Sequence, residues 1–185
     1  MKLNLGCADR LLPGYIGVDL RAPLPDETPD TYRQCDLAGP WFPEDSSVEE
    51  VLAFDVCEHV SDKPLFRDMV PAPYTDQTPF INNGRIHFMN ELHRVLKPGG
   101  RATIETPDAS RGVGFWQDPT HVSPWCRSTF KYFEHGAFAH TRLSKAYGIT
   151  AAFKVIEMTA LGPLPGEGYG ETVWKIRAVL EAVKS

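Results

Sequence analysis

Positive charge is in short supply in this chain. Its 19 Lys and Arg stand against 24 Asp and Glu, a formal net charge of −5. A broad nucleic-acid footprint needs clustered cations, so this balance argues against one while leaving room for a local basic groove. Long apolar runs are missing too, and no stretch approaches the ~20 residues that cross a bilayer. The first residues already pattern as a strand, which leaves no place for a signal peptide. Cysteines are few and scattered: Cys7, Cys35, Cys57 and Cys126 have no C-x-x-C spacing. They read as reduced thiols, packed as small apolar side chains in a cytoplasmic protein. No metal site is expected. His135 and His140 lie five positions apart, with no Cys or carboxylate spaced to complete a tetrahedral set. Internal repeats and low-complexity tracts are absent, and so is the full G-x-G-x-x-G fingerprint.

What remains is ordinary globular composition over 185 residues, enough for a single domain, 1–185, with a proper core. Its most informative stretch is the first twenty residues. Leu3 to Leu5 form an apolar strand that runs into Gly6, and Tyr15 to Val18 form a second that ends in Asp19. Gly6, lacking a Cβ, lets the backbone approach a ligand closely. An ionised Asp19 accepts only, and it can take hydrogen bonds from two ribose hydroxyls. Ligands bind beyond the carboxyl ends of parallel strands, which puts both groups in one crevice. The alternative is a plain glycine turn beside a solvated aspartate.

Further along, a proline-rich loop over 22–30 leads to a short strand, Tyr32 to Leu37. Val51 to Asp55 reads as a buried parallel strand ending in an acid. The connection from Val70 to Gly84 reads as irregular. Ile86, Met89, Leu92, Val95 and Leu96 then share one face of a helix, closed by Lys97-Pro98-Gly99-Gly100. Ala102 to Thr106 alternates as a strand that stops at Pro107. Phe153 to Leu161 and Thr172 to Val183 read as two strands, or a strand and a helical tail. This alternation predicts an α/β fold: a parallel sheet with helices on both faces. Only Gly6 to Gly14 separates the first two strands, so the first crossover is shortened and its helix is a single turn or absent.

Three motifs carry a family likeness. Leu-Asn-Leu-Gly-Cys-Ala with Gly-Tyr-Ile-Gly-Val-Asp-Leu resembles the first motif and second-strand acid of class I S-adenosylmethionine-dependent methyltransferases. Phe54-Asp55-Val56-Cys57-Glu58-His59-Val60 looks like that family's fourth-strand motif. Asn90 to Gly100, Asn-Glu-Leu-His-Arg-Val-Leu-Lys-Pro-Gly-Gly, is similar to its signature before strand five. Together they cover the first 107 residues or so. Trp116-Gln117-Asp118-Pro119-Thr120-His121-Val122 also resembles an element of small members of the methyltransferase-11-like group.

The resemblance implies a Rossmann-like sheet, mostly parallel with one antiparallel C-terminal strand, and S-adenosylmethionine as donor with S-adenosylhomocysteine as product. Carried over by motif, Gly6, Cys7 and Ala8 line the methionine end and Asp19 holds the ribose. Asp36 meets the adenine amine with Leu37 on the ring, and Asp55 and Val56 face the methionine moiety. Ala8 stands where the family usually has glycine, and helices that often cover the acceptor do not precede the first strand. The implied reaction is methyl transfer to oxygen or nitrogen of a small-molecule acceptor. DNA base-amino methylation is disfavoured, because Asp55-Val56-Cys57-Glu58 replaces an Asp/Asn-Pro-Pro-Tyr/Phe element. Two rival readings are a non-catalytic S-adenosylmethionine- or nucleotide-binding module and a nicotinamide-dependent oxidoreductase.

Methyl transfer from a sulfonium is mainly a matter of alignment and water exclusion. A base is needed only for a weakly acidic acceptor. His121 is the candidate, with a loop-fixing role as its alternative. His59 reads as structural beside the pocket, and Glu58 as an acid at a helix start. His93 is given no role. Trp116 is the aromatic residue kept as a wall for a flat acceptor.

Overall fold

The computed structural model describes residues 1–61, 83–165 and 172–184. Seven strands form one sheet: β1 (Lys2–Leu5), β2 (Ile16–Asp19), β3 (Tyr32–Gln34), β4 (Val48–Phe54), β5 (Leu96–Gly112), β6 (Phe153–Pro165) and β7 (Thr172–Ala182). Their spatial order is β3-β2-β1-β4-β5-β7-β6. β1 pairs in parallel with β2 and β4, β2 with β3, and β4 with β5. β7 runs antiparallel to both β5 and β6. The expected sheet, mostly parallel with one antiparallel C-terminal strand, is therefore present. Of the two readings left open for the C-terminal residues, the pair of strands is the one observed.

Among the described residues, helices are fewer than expected. α1 (Gly84–Val95), α2 (Arg127–Phe130) and α3 (Phe138–Tyr147) all follow β4. The links from β1 to β2, β2 to β3 and β3 to β4 hold no helix, so these links supply no helical cover to that part of the sheet. The first link is too short for a helical crossover, and prolines interrupt the second. Trp41, in the third link, packs edge-on against Phe88 of α1 at 5.4 Å and takes part of a helix's place.

α1 begins where the Asn83 side chain accepts from the N–H groups of Arg85 and Ile86. Its buried face, Phe88, Met89, Leu92 and Val95, joins the core with Leu3, Leu5, Val51 and Ile104 of the sheet. Strand bounds differ from the sequence pattern in several strands; β4 starts earlier, at Val48, and β6 runs on to Pro165. β3 ends at Gln34, short of Asp36. β4 ends at Phe54, because Asp55 turns left-handed at φ +52°. β5 starts at Leu96 and runs on through Pro107, which pairs with Lys175; the register then shifts before Gly112, an irregularity of the kind that tolerates proline. Of the irregular connection, only Asn83 and Gly84 lie among the described residues.

The polar residues of the Asn90-to-Gly100 motif hold the fold together. Asn90 donates to Gly148 O at 2.8 Å and accepts from Thr150 N and Ala151 N. Glu91 accepts from Arg94 at 2.7 Å and from Trp41 N at 2.7 Å. Arg94 also donates to the carbonyls of Trp41 and Pro43 and to Asp45. Burial disfavours the Glu91 carboxylate, but Arg94 and the Trp41 N–H outweigh it and hold Glu91 below the usual carboxylate range. A lowered folded-state value stabilises above the unfolded one, ~4.3, and the gain is lost as pH falls through the folded value. Glu91→Gln should therefore cost about 1–3 kcal/mol at pH 7. In urea titrations that gap should narrow at acid pH; a constant gap would mean the charge is not what matters.

Candidate active site

The carboxyl ends of β1, β2 and β4 meet at one edge of the sheet. Gly6 leaves β1 at φ +65°, and a Cβ built there would lie 2.6 Å from Val56 Cβ and 2.7 Å from Val56 Cγ2. Glycine is required at this position both for its backbone conformation and for space. Ala8 adopts φ +47°, the left-handed geometry that glycine takes without penalty, so the turn keeps its shape without the second glycine. Asp19 fixes that turn from β2. Its Oδ2 accepts from Ala8 N at 2.8 Å, and its Oδ1 accepts from Leu20 N at 2.7 Å. Oδ1 also accepts from Arg21 N at 3.4 Å, and Oδ2 keeps a second acceptor position. Cys7 is buried, with its thiol pushed up by burial first and the charge of Asp19 next.

Arg21 is a residue that sequence reasoning missed. It donates to Ala8 O at 2.5 Å and forms a two-pronged ion pair with Glu27, so the proline-rich loop is tied to the turn after β1. Cys35 N donates to Asp19 O at 2.8 Å, which brings the residues after β3 alongside. Asp36 is exposed there, and its Oδ1 accepts from Ala38 N at 2.9 Å. Leu37 is buried in the core cluster. Asp55, left-handed after β4, pairs its carboxylate with Lys175 of β7. That partner lies far along the chain, and no local pattern signals it.

A second group lies beyond β4 and β5. A 3₁₀ turn, Cys57–His59, carries Glu58. Its side chain is fully buried and turned toward β5, where Glu58 Oε2 accepts from Thr106 Oγ1 at 3.0 Å. The acid does sit in the first turn of a short helix, but it reaches into the interior and is no surface helix-start charge. Burial raises its carboxyl above the usual range, with Asp55 adding to the effect. The segment after β5 is clamped to this turn. Val122 N and Ser123 N both donate to Glu58 O at 2.9 Å, and Trp125 Nε1 donates to Cys57 O at 3.3 Å. The clamp delivers His121, whose Nε2 lies 4.0 Å from Glu58 Oε1 and 3.7 Å from Asp118 Oδ2. His59 and His121 meet edge to face at 4.7 Å, and Phe115 stacks on His121 at 5.5 Å. Trp116, 67% exposed, stands beside them.

Gly6, Ala8, Asp19 and Val56 thus form one contiguous group, with Asp36 and Asp55 at its margins. His121 belongs to the separate Glu58 cluster. His93 is structural: its Nε2 meets Val183 O at 2.9 Å. All four cysteines are free. Among the described residues, no helix is long and apolar enough to cross a membrane.

No family profile matches the chain, and no curated protein matches it by sequence. Solved structures do. The Haloferax volcanii complex with the Trm112 methyltransferase activator matches with a TM-score of 0.58 at 13% identity, over 99% of this chain and 82% of that one. A SAM-dependent methyltransferase structure from Methanosarcina mazei matches at 0.55 and 13%, over 100% and 92%. The chain has the class I methyltransferase fold. A third similar structure is Burkholderia thailandensis 1,6-didemethyltoxoflavin-N1-methyltransferase, with its substrate and S-adenosylhomocysteine bound, at 0.53 and 11%, over 99% and 71%. The cyclase SpnF is also similar, at 0.52 and 11%, so this fold does not by itself fix the reaction.

Proposed function

We propose that the chain is an S-adenosylmethionine-dependent methyltransferase acting on oxygen or nitrogen of a small molecule. One observation carries this reading. Gly6, with no room for a Cβ, opens a turn that the carboxylate of Asp19 holds, on adjacent strands of a class I methyltransferase sheet. In this reading the backbone of Gly6, Cys7 and Ala8 lines the methionine end, since the Cys7 side chain is buried. The Asp19 carboxylate, with Oδ2 keeping an open acceptor position and the long Arg21 N contact on Oδ1 yielding, takes the ribose hydroxyls, and Asp36 takes the adenine amine with Leu37 beneath it. Asp55 and Val56 border the methionine moiety, with Lys175 neutralising Asp55. The antiparallel β7 favours this donor over a nicotinamide cofactor, whose fold is built from parallel strands.

The donor supplies the electrophilic methyl group. The protein's part is to align it and exclude water, a contribution of up to ~7–11 kcal/mol. His121 is the proposed base. Its Nδ1 lies 2.8 Å from Phe115 O, a pure acceptor, so Nδ1 carries the proton and Nε2 offers a lone pair. Exposed Trp116 supports a flat acceptor stacked on its indole.

A radiolabelled methyl-transfer assay over phenols, catechols and amines tests the reading. Transfer to at least one acceptor class is expected. His121→Ala should lower kcat by ~10²–10⁴-fold with S-adenosylhomocysteine affinity unchanged. Equal loss of donor affinity would make His121 a structural post. Donor binding without any transfer would support a non-catalytic binding module.

A further inference from the structure

Three electron-pair donors converge without making a hydrogen bond to one another. Thr120 Oγ1 donates to the Asp118 carboxylate at 2.6 Å, so its only hydrogen is committed. The His59 Nδ1 that faces Thr120 Oγ1 at 3.1 Å and Thr120 O at 3.3 Å must then be the donor, which leaves His59 Nε2 with a lone pair. His121 is in the same tautomer, with Nδ1–H on Phe115 O. Glu58 Oε1 is fully buried and has no hydrogen-bond partner. One ligand atom from each of Glu58, His59 and His121 lies within 4.8 Å of the others. At 4.0 Å, Glu58 Oε1 and His121 Nε2 are too far apart to share a proton in a hydrogen bond. They are near enough for a cation with bonds of ~2.0–2.2 Å to draw them together.

The arrangement has the outer support that metal ligands need. Each imidazole is oriented through Nδ1–H by a backbone carbonyl, and Thr106 pins the other Glu58 oxygen. We propose that Glu58, His59 and His121 bind one divalent first-row transition cation of the Zn²⁺ or Mn²⁺ kind. Two imidazoles and one carboxylate suit these ions and disfavour Mg²⁺, which prefers an all-oxygen shell. Three protein ligands leave positions open for a ligand oxygen, as catalytic sites do. The binding claim stands apart from methyl transfer. That the cation polarises an acceptor hydroxyl there rests on the proposed function, and with the cation bound His121 acts on the acceptor through it. Sequence spacing could not reveal the site, because His121 follows His59 by 62 positions.

Isothermal calorimetry with ZnCl₂ and with MnCl₂, on chelator-stripped protein, tests this. The wild type should take up one ion per chain. Glu58→Gln, His59→Ala and His121→Ala should each weaken uptake by roughly tenfold or more. His59 is exposed, so its variant keeps the fold even if the others do not. His135→Ala, in an exposed histidine outside the cluster, should bind as the wild type does. S-adenosylhomocysteine titrated into the same His59→Ala sample should bind normally. Uptake of the ion without donor binding would remove the methyltransferase reading and leave the metal site standing. No uptake below about 1 mM, uptake that survives all three substitutions, or uptake lost in His135→Ala would overturn the proposal.

Discussion

Gly6→Ala is expected to abolish measurable donor binding and to lower stability by about 2–5 kcal/mol. Two costs combine. An alanine held at φ +65° pays ~1–2 kcal/mol for the left-handed backbone. Its Cβ would also meet Val56 Cβ at 2.6 Å, and overpacking of this kind costs ~1–3 kcal/mol. Relief by backbone movement would shift the turn that Asp19 holds, which is the proposed methionine-binding surface. Val56→Ala in the same chain should recover only part of the stability, since it removes Cγ2 and leaves Cβ in place. Denaturant titration and calorimetry of the single and double variants measure this. A Gly6→Ala protein with wild-type stability and binding would show that the close approach has no consequence.

The second large effect belongs to Asp19. Asp19→Ala should weaken S-adenosylhomocysteine by about 5–150-fold, the equivalent of ~1–3 kcal/mol for buried hydroxyls left unpaired. The structure adds a complication that the sequence did not contain. The same carboxylate accepts from Ala8 N and Leu20 N, so its removal also loosens the turn after β1. Ligand chemistry separates the two contributions. If the ribose contact dominates, a 2′,3′-dideoxy analogue should bind wild type and Asp19→Ala almost equally. If the turn dominates, the analogue should lose affinity along with the parent ligand.

The fold was legible where structure is local or periodic. The apolar stripe of α1, the strand-ending glycine at Gly6 and the paired motifs around Asp19 and Asp55 are written in short stretches of sequence. The missing helices were legible only in part. The span between Gly6 and Gly14 signalled a short first crossover, but nothing in 35–47 announced that Trp41 and the Glu91–Arg94 pair would stand in for a helix. Long-range polar contacts were invisible for the same reason. Lys175 reaches Asp55 across 120 positions and Thr106 reaches Glu58 across 48. Glu58 read as an acid at a helix start; its burial comes from tertiary contacts that no local pattern holds, Thr106 of β5 and the clamp from 118–125.

The central claim is that the turn after β1 and the carboxylate of β2 bind an S-adenosyl donor. Calorimetric titration of the wild-type protein with S-adenosylhomocysteine, with NAD⁺ titrated in parallel, tests it most directly. The account predicts one S-adenosylhomocysteine per chain and no saturable NAD⁺ binding. No heat from S-adenosylhomocysteine, or tighter binding of NAD⁺, would contradict it.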